Sequence, residues 1–288
     1  MTGRARVEAI SYIMRTGTEE VRYRRFAHNE TFINGVVSFR GEMPDASMML
    51  RRNDHFWEKY GLRFEMQHKD DPSVPSYARE FSHLVATAHT VPLKRPPKEP
   101  VVLPKVMEIG CGIGMNLLAM NETSLVDASG LDVCPTCVGL AKGGMGVNNP
   151  LDVGDIKGYI LPEAHYHGIF ASNLFSYFDP ATQAGVMIKM HKALLPGGVL
   201  YLRWAMGSNL LRTLNADNDK IRYVFEVTSQ YLKEFLECGG FELIRDIGLD
   251  DVGQPGSGLG TKTFMNVFAK RVEIPEPVRI KYPPRERG

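Results

Sequence analysis

The residues best suited to chemistry lie in one short stretch, Glu108 to Gly114, which ends an apolar run that begins at Val101. Glycines stand at the alternate positions 110, 112 and 114, behind the acid Glu108. Glycine lets a chain turn tightly, bring backbone N–H groups against a ligand and begin a helix close to a strand. A second acid, Asp132, ends the next apolar run. The pattern predicts a pocket for a nucleotide-type ligand.

Two cofactor classes compete for this turn. A dinucleotide site has G-x-G-x-x-G and an acid roughly 20 residues further on, and Asp132 has that spacing. The glycines do not, because they follow G-x-G-x-G and Met115 stands where the dinucleotide pattern has its last glycine. An acid two positions before the first glycine, as at Glu108, is also unusual for a dinucleotide site. The spacing therefore disfavours a dinucleotide.

The stretch Val106–Gly114 instead resembles the first motif of class I S-adenosylmethionine-dependent methyltransferases. The rest of the chain follows that family's order, with Asp132 ending the second strand, Asp152 before the fourth strand, and a Pro-Gly-Gly turn within Leu194–Leu200. The resemblance implies S-adenosylmethionine as the cofactor. Methyl transfer needs mainly alignment and desolvation, so a general base is optional.

The same resemblance implies roles for individual residues. Asp132 would hold the ribose hydroxyls, and Asp152 would accept from the adenine amino group, with Asp155 as a competing contact. Glu108 and the glycine turn would line the methionine end. The complete cofactor site expected from the resemblance is Glu108, Gly110, Cys111, Gly112, Gly114, Asp132, Val133, Asp152, Val153 and Asn173.

Alternating strands and helices must position these residues. Helical periodicity is scattered through residues 1–90, where Val7, Ile10, Ile13 and Met14 would share a face, and Pro92 to Pro100 predicts an extended linker. Beyond it we expect strands at residues 101–109, 125–133, 166–174, 199–204, 241–246 and 263–268, with a short third segment that contains Asp152 and Asp155 before the fourth strand. Helices are expected from Cys134-Pro135-Thr136, over 181–194 until Pro196-Gly197-Gly198, and over 229–237, with a polar loop through Asn218.

This order predicts an α/β, Rossmann-like class I methyltransferase fold: a mostly parallel seven-stranded sheet, last strand antiparallel, with an N-terminal helical extension. The expected domains are a helical extension with its linker at 1–100, a cofactor-binding domain at 101–272 and a tail at 273–288. In a parallel sheet the ligand lies at the carboxyl ends of the strands.

Both flanks of the cofactor domain are similar to the tRNA 3-methylcytidine methyltransferases. The similarity rests on His55–Tyr60, Arg79-Glu80-Phe81, Leu200–Arg203, Ile221–Phe225 and Tyr231-Leu232. It implies a base in RNA as the substrate, held on aromatic and arginine side chains. Arg203 and Arg222 are the expected catalytic residues, and the further candidates are Trp57, Tyr60, Tyr177 and Trp204.

The chain departs from that family on the acceptor side. Arg203 is followed by Trp204 where the family has an aspartate, and the segment Arg63–His68 replaces a basic-aromatic segment that covers the cofactor. A different acceptor, or a fold kept without that reaction, would explain the change. The alternatives are therefore a non-catalytic subunit or assembly factor of a ribonucleoprotein, such as a mitochondrial ribosome precursor, and a small-molecule or protein methyltransferase.

Composition limits the partners only weakly. A formal net charge of +1 neither requires nor excludes RNA, although Arg22–Phe26 and Arg51-Arg52 would suit a nucleic-acid backbone. Four cysteines are too few for a disulfide framework. Cys134 and Cys137 lack further paired zinc ligands nearby, which favours packing over a metal site or thiol exchange. We expect no metal, no membrane segment, a cytoplasmic or alternatively mitochondrial location, and tRNA and a protein as possible partners.

Overall fold

The computed structural model describes residues 46–69, 73–89, 102–206, 211–214, 222–252 and 262–272. The predicted Val7–Met14 helix face, the Arg22–Phe26 cluster, the Pro92–Pro100 linker and the tail lie outside these residues. No described helix is long and apolar enough to cross a membrane.

Nine strands and six α-helices make up the described part of the chain. The strands are β1 (Lys105–Ile109), β2 (Asp127–Asp132), β3 (Leu151–Val153), β4 (Tyr166–Ser172), β5 (Leu194–Met206), β6 (Leu211–Leu214), β7 (Arg222–Phe225), β8 (Phe241–Val252) and β9 (Lys262–Arg271). The helices are α1 (Ala46–His68), α2 (Ser73–His89), α3 (Met115–Thr123), α4 (Pro135–Gly143), α5 (Pro180–Ala193) and α6 (Ser229–Cys238).

Seven of the strands form one sheet in the order β3-β2-β1-β4-β5-β9-β8. The pairs from β3 to β5 are parallel, whereas β9 is antiparallel to both of its neighbours, β5 and β8. The predicted mostly parallel seven-stranded sheet with its antiparallel last strand is confirmed. The carboxyl ends of β1, β2, β4 and β5 consequently meet along one edge.

Aromatic packing holds α2 against one face of this sheet. The rings of Phe170 and Tyr201 stack with centroids 4.1 Å apart, and Phe81 of α2 meets Phe170 edge-on at 5.4 Å. Gly168 permits this approach, since a Cβ there would stand 2.6 Å from the Phe81 ring. Helix α2 thus packs directly on the sheet through buried side chains.

The sequence prediction missed a hairpin. In place of a simple polar loop, β6 and β7 pair antiparallel, and Val227 bridges to Met206 at the end of β5. Trp204 is fully buried and its indole N–H donates to the carbonyl oxygen of Phe225 at 3.0 Å. Trp204 therefore connects β5 to this hairpin from within the core.

Candidate active site

The turn between β1 and α3 needs its alternate glycines. Gly110, Gly112 and Gly114 have φ angles of 81°, 52° and 81°, in the left-handed region that other residues rarely adopt. The N–H groups of Gly110 and Cys111 donate to the carbonyl oxygen of Leu131 at 2.8 and 3.1 Å. These bonds tie the turn to the end of β2, where the second acid stands.

Asp132 connects this turn to the start of α4. Its Oδ2 accepts from the N–H of Gly112 at 2.8 Å, and its Oδ1 accepts from the N–H of Cys134 at 2.8 Å. Burial raises the pKa of Asp132, while these two backbone donors lower it. Each carboxylate oxygen keeps a further lone pair, so Asp132 can also accept from ligand hydroxyls.

A cavity of about 240 Å³ opens beside Asp132, at the carboxyl ends of the central strands and against α1. Six of the predicted cofactor residues line it: Gly110, Cys111, Gly112, Asp132, Val133 and Asn173. Four others do not line it: Glu108, Gly114, Asp152 and Val153. The cavity coincides with the expected cofactor position only in part.

Glu108, which the resemblance places at the methionine end of the cofactor, lies behind the turn and does not line the cavity. It is 1% exposed, its Oε1 accepts from the amide of Asn116 at 2.6 Å, and burial raises its pKa well above the usual range. Asn116, which sequence reasoning missed, is the residue that lines the cavity. Its Oδ1 has no hydrogen-bond partner among the described residues.

The predicted adenine contact Asp152 and its neighbour Val153 do not line the cavity either. Asp152 is exposed, and its Oδ2 accepts a hydrogen bond from the Tyr159 hydroxyl group at 2.5 Å. Val153 is 52% exposed. Both belong to β3 at the edge of the sheet. Asp155, the competing candidate, lines the cavity together with Ile156.

On the opposite side, three polar side chains face the cavity with unpartnered atoms. Ser172 ends β4, Asn173 follows it, and Arg203 lies beside Ser172 on β5. In the described residues, Ser172 Oγ, Asn173 Oδ1, and Arg203 Nε and Nη2 are buried without a hydrogen-bond partner. Arg203 is 3% exposed, and its guanidinium carbon lies 4.3 Å from the centre of the Phe264 ring. Leaving such buried polar atoms unpaired is costly, so either water or a bound ligand completes their hydrogen bonds.

The other acceptor-side candidates separate into two groups. Trp57 and Tyr177 line the cavity and meet edge-on with centroids 4.8 Å apart. Tyr60 and Trp204 do not line it, and Trp204 packs in the core. Arg222 begins β7, and its side chain lies outside what the structure describes.

Helix α1 covers the cavity, with Asn53, Asp54, Trp57 and Glu65 among its lining. Burial raises the pKa of Glu65 to about 7, with the charges of Asp132 and Cys134 as further causes. The segment Arg63–His68, which departs from the family pattern in the sequence, therefore contributes an acid to the cavity.

Cys134 and Cys137 also line the cavity, at the start of α4. Both are free and buried, and they pack with Ile113. The described residues contain no group of three or more His, Cys, Asp or Glu side chains able to hold a metal ion.

The donor set fits S-adenosylmethionine. Asp132 offers acceptors for a ribose diol, and Gly110 and Gly112 of the turn line the cavity beside it. Unpartnered polar atoms for an amino-acid tail come from Asn116, Ser172 and Asn173. The cofactor would therefore extend from Asp132 towards Asn173, which leaves the Arg203 side for an acceptor.

Comparison with known proteins supports this assignment. Residues 106–198 match the family model described as a methyltransferase domain. A search of curated proteins finds no match.

Solved structures of methyltransferases share this fold, as three examples illustrate. An S-adenosylmethionine-dependent methyltransferase from Methanosarcina mazei is 14% identical, with a TM-score of 0.53 over 63% of this chain and 100% of that one. The 1,6-didemethyltoxoflavin-N1-methyltransferase of Burkholderia thailandensis, solved with 1,6-didemethyltoxoflavin and S-adenosylhomocysteine, is 18% identical, with a TM-score of 0.55 over 83% and 94%. A putative methyltransferase of Haloferax volcanii, solved with the activator Trm112, is 15% identical, with a TM-score of 0.53 over 76% and 98%.

Proposed function

We propose that this S-adenosylmethionine-dependent methyltransferase acts on a planar base in RNA, a cytidine-type base of tRNA. The match of residues 106–198 to a methyltransferase domain, together with the fold, supports the enzyme class and the cofactor. The proposal adds the identity of the methyl acceptor. It depends on one observation: the buried Arg203 side chain lines the cavity, and its Nε and Nη2 have no hydrogen-bond partner among the described residues.

Arg203 and its neighbours form a chamber that suits a flat polar ring. The Phe264 ring lies against the guanidinium group, and Trp57 and Tyr177 add aromatic surface to the same cavity. A flipped-out base is held by stacking on aromatic rings and by hydrogen bonds to its edge. A base carbonyl oxygen would satisfy the Arg203 donors and relieve the cost of burying them.

In the reaction, S-adenosylmethionine supplies a methyl carbon that its sulfonium sulfur makes electrophilic. Asp132 and the glycine turn would hold the adenosyl part, and Asn173 and Ser172 would hold the tail. Arg203 would orient the base so that its ring nitrogen points along the axis of transfer. Alignment of this kind supplies most of the rate enhancement.

The outer face of α1 supports an RNA acceptor. Its exposed side chains include Arg51, Arg52, Lys59 and Arg63, and among the described side chains of this helix Glu58 is the one exposed acid. The acids Asp54 and Glu65 face the cavity instead. A cationic face beside the cavity mouth would suit the phosphates of a strand whose base enters the cavity.

A small planar heterocycle is the second candidate acceptor. The Burkholderia thailandensis enzyme, which has this fold, is described as a methyltransferase of 1,6-didemethyltoxoflavin. The same aromatic and arginine side chains would suit such a ring, and α1 would then act as a cover. The Haloferax volcanii methyltransferase was solved in complex with its activator Trm112. Assays with RNA and with small heterocycles should therefore also be run with a candidate activator protein present.

The test is methyl transfer from labelled S-adenosylmethionine to unmodified tRNA transcripts, with the nucleosides identified by mass spectrometry. We expect the label on a cytidine-type base, and Arg203→Ala to lower turnover about 100-fold while S-adenosylhomocysteine affinity stays within twofold. Arg203→Lys, which keeps the charge, should recover part of the activity. Label found only on small heterocycles would overturn the RNA acceptor, and failure to bind S-adenosylhomocysteine would overturn the enzyme assignment.

A further inference from the structure

Helix α1 is fixed across the cavity by its own buried polar side chains. The amide of Asn53 donates to the carbonyl oxygens of Tyr177 and Tyr223 at 2.7 and 3.0 Å, and its Oδ1 accepts from the N–H of Tyr223 at 2.7 Å. Next to it, Asp54 forms an ion pair with Lys157 at 2.6 Å. Both residues line the cavity, so the first half of α1 is part of its wall.

The second half of α1 lies on the cofactor turn. A Cβ at Gly61 would stand 3.4 Å from Cys134 Sγ, which shows how closely this helix approaches the start of α4. One turn later, Glu65 lies over Gly112, where a Cβ would stand 2.8 Å from Glu65 Oε2. The Glu65 carboxyl group therefore occupies the space that the missing Gly112 side chain leaves.

Glu65 and Asp132 consequently flank the same residue from two sides. The Asp132 carboxylate accepts a hydrogen bond from the N–H of Gly112, and the Glu65 carboxyl group lies against the Cα of Gly112. Within the described residues no basic side chain forms an ion pair with Glu65. Two acids facing each other in a cavity repel one another when ionised, and burial raises the pKa of Glu65 to about 7. A ligand that donates hydrogen bonds to both would relieve this cost.

We propose that Glu65 is a second acceptor for the ribose hydroxyls of the cofactor, opposite Asp132, so that α1 takes part in binding the adenosyl group. The inference rests on the proposed use of S-adenosylmethionine. A ribose diol carries two adjacent hydroxyl donors, and two carboxyl groups on either side of Gly112 are matched to it in number and position. Glu65 on this helix thereby becomes a determinant of cofactor affinity.

The affinity should then rise with pH. An ionised carboxylate accepts a stronger hydrogen bond than its protonated form, and Glu65 ionises near pH 7 in the free protein. Other titratable or charged groups act on Glu65 or share the cavity, and they come from every element packed around it: Asp54, Lys69, Glu108, Cys111, Asp132, Cys134, Cys137, Asp155, Arg203 and Glu226. Only a Glu65 variant isolates its contribution.

The experiment is isothermal titration calorimetry with S-adenosylhomocysteine and with 5′-methylthioadenosine, at pH 6 and pH 8. These ligands share the ribose, whereas 5′-methylthioadenosine lacks the amino-acid tail. We expect the protein to bind both about fivefold more tightly at pH 8 than at pH 6. Glu65→Gln should bind both about tenfold more weakly at pH 8 and lose most of the pH dependence. Glu58→Gln, an exposed acid on the same helix, is the matched control and should change neither.

A stability measurement separates this role from misfolding. Because burial raises the pKa of Glu65 above its unfolded value of 4.5, its ionisation destabilises the folded protein as pH rises from about 4.5 to 7. Ligand-free Glu65→Gln should therefore have a higher Tm than the parent protein at pH 8, although it binds ligand more weakly.

Three results would overturn the proposal. Unchanged or tighter binding of S-adenosylhomocysteine by Glu65→Gln would mean that the carboxyl group only fills the cavity. A loss confined to S-adenosylhomocysteine would place Glu65 at the amino-acid tail. A lower Tm of Glu65→Gln at pH 8 would mean that the weaker binding reflects damage to the fold. If the unaltered protein binds neither ligand at either pH, the proposed cofactor use fails and not the role of Glu65 alone.

Discussion

Asp132 combines a structural and a proposed binding role in one carboxyl group. Its oxygens receive backbone N–H groups from the glycine turn and from the start of α4, so it positions the two segments that border the cofactor. The side chain that would bind the ribose is therefore held rigid before the ligand arrives. A side chain that is already held in its binding position loses less conformational entropy when the ligand binds.

Replacing Asp132 should separate these roles. We expect Asp132→Ala to abolish measurable S-adenosylhomocysteine binding in calorimetry while circular dichroism still shows a folded protein. Loss of two buried hydrogen bonds should cost roughly 1–3 kcal/mol of unfolding free energy. Asp132→Asn, which keeps one acceptor oxygen, should be destabilised less. Unchanged affinity of Asp132→Ala would show that the ribose binds elsewhere.

Gly112 is restricted by both its backbone and its neighbour. Its φ of 52° acts together with the closeness of Glu65, whose Oε2 would stand 2.8 Å from a Cβ placed on this residue. Gly112→Ala should cost about 1–3 kcal/mol in a urea unfolding experiment. Gly139→Ala is the matched control, because a Cβ there meets nothing within 4 Å, and it should stabilise α4 by about 0.5–1 kcal/mol.

A double variant assigns the cause of the Gly112 effect. If the collision with Glu65 contributes, Glu65→Ala combined with Gly112→Ala should be less destabilised than the sum of the two single variants. Strict additivity would attribute the whole cost to the backbone conformation.

At the scale of elements, α1 depends on Asn53 for its position. Asn53 is 2% exposed and connects the helix to Tyr177 and to β7 by three hydrogen bonds. Asn53→Ala would leave buried backbone groups unpaired, with an expected loss of about 2–3 kcal/mol. Hydrogen exchange should become faster in both α1 and β7. Arg51→Ala, exposed on the same helix, should leave exchange unchanged; an Asn53→Ala protein with unaltered exchange in α1 would contradict the anchoring role.

The outer face of α1 carries the prediction for RNA binding. Arg51, Lys59 and Arg63 are spaced along about 18 Å of helix, comparable with a few nucleotides of backbone. Replacing all three by alanine should weaken binding of a fluorescent tRNA transcript at least tenfold and reduce the salt dependence of log K by about 2. S-adenosylhomocysteine affinity should not change.

The control for this experiment removes the same charge elsewhere. Lys192, Lys233 and Lys270 are exposed on α5, α6 and β9, and their triple alanine variant should bind RNA like the parent protein. Equal losses in the two triple variants would show that only net charge matters and would remove the support that α1 gives to an RNA acceptor.

At the scale of the whole molecule, the cavity is formed by several distant segments. The carboxyl ends of four strands, the start of α4 and the part of α1 from Asn53 to Glu65 contribute to it. A ligand bound only by this assembled state stabilises the entire fold. S-adenosylhomocysteine at 100 times its Kd should raise the unfolding free energy by about 2.7 kcal/mol. A Tm that does not respond to the ligand would contradict a preformed cofactor site.

Local rules made much of the fold predictable. Alternating glycines permit the left-handed backbone conformation that is seen at Gly110 and Gly112. Pro135 begins α4, as its position in the sequence predicts. The sequence predicts that Pro196-Gly197-Gly198 ends a helix, but this segment lies within β5, where Gly197 has a φ of 75°. The β6–β7 hairpin is missed because no strong turn signal distinguishes it within a polar segment.

The sequence by itself determined the mostly parallel sheet, the glycine turn and the place of Asp132 at the end of β2, because these follow from the alternation of strands and helices and from neighbours along the chain. Only the tertiary structure decided which side chains reach the cavity. The residues that line the cavity are Asp155 and Asn116, and not Asp152 and Glu108. Trp204 is buried in the core, and Glu65 lies against Gly112. These outcomes depend on contacts between segments far apart in the chain, where packing rather than local spacing fixes the direction of each side chain.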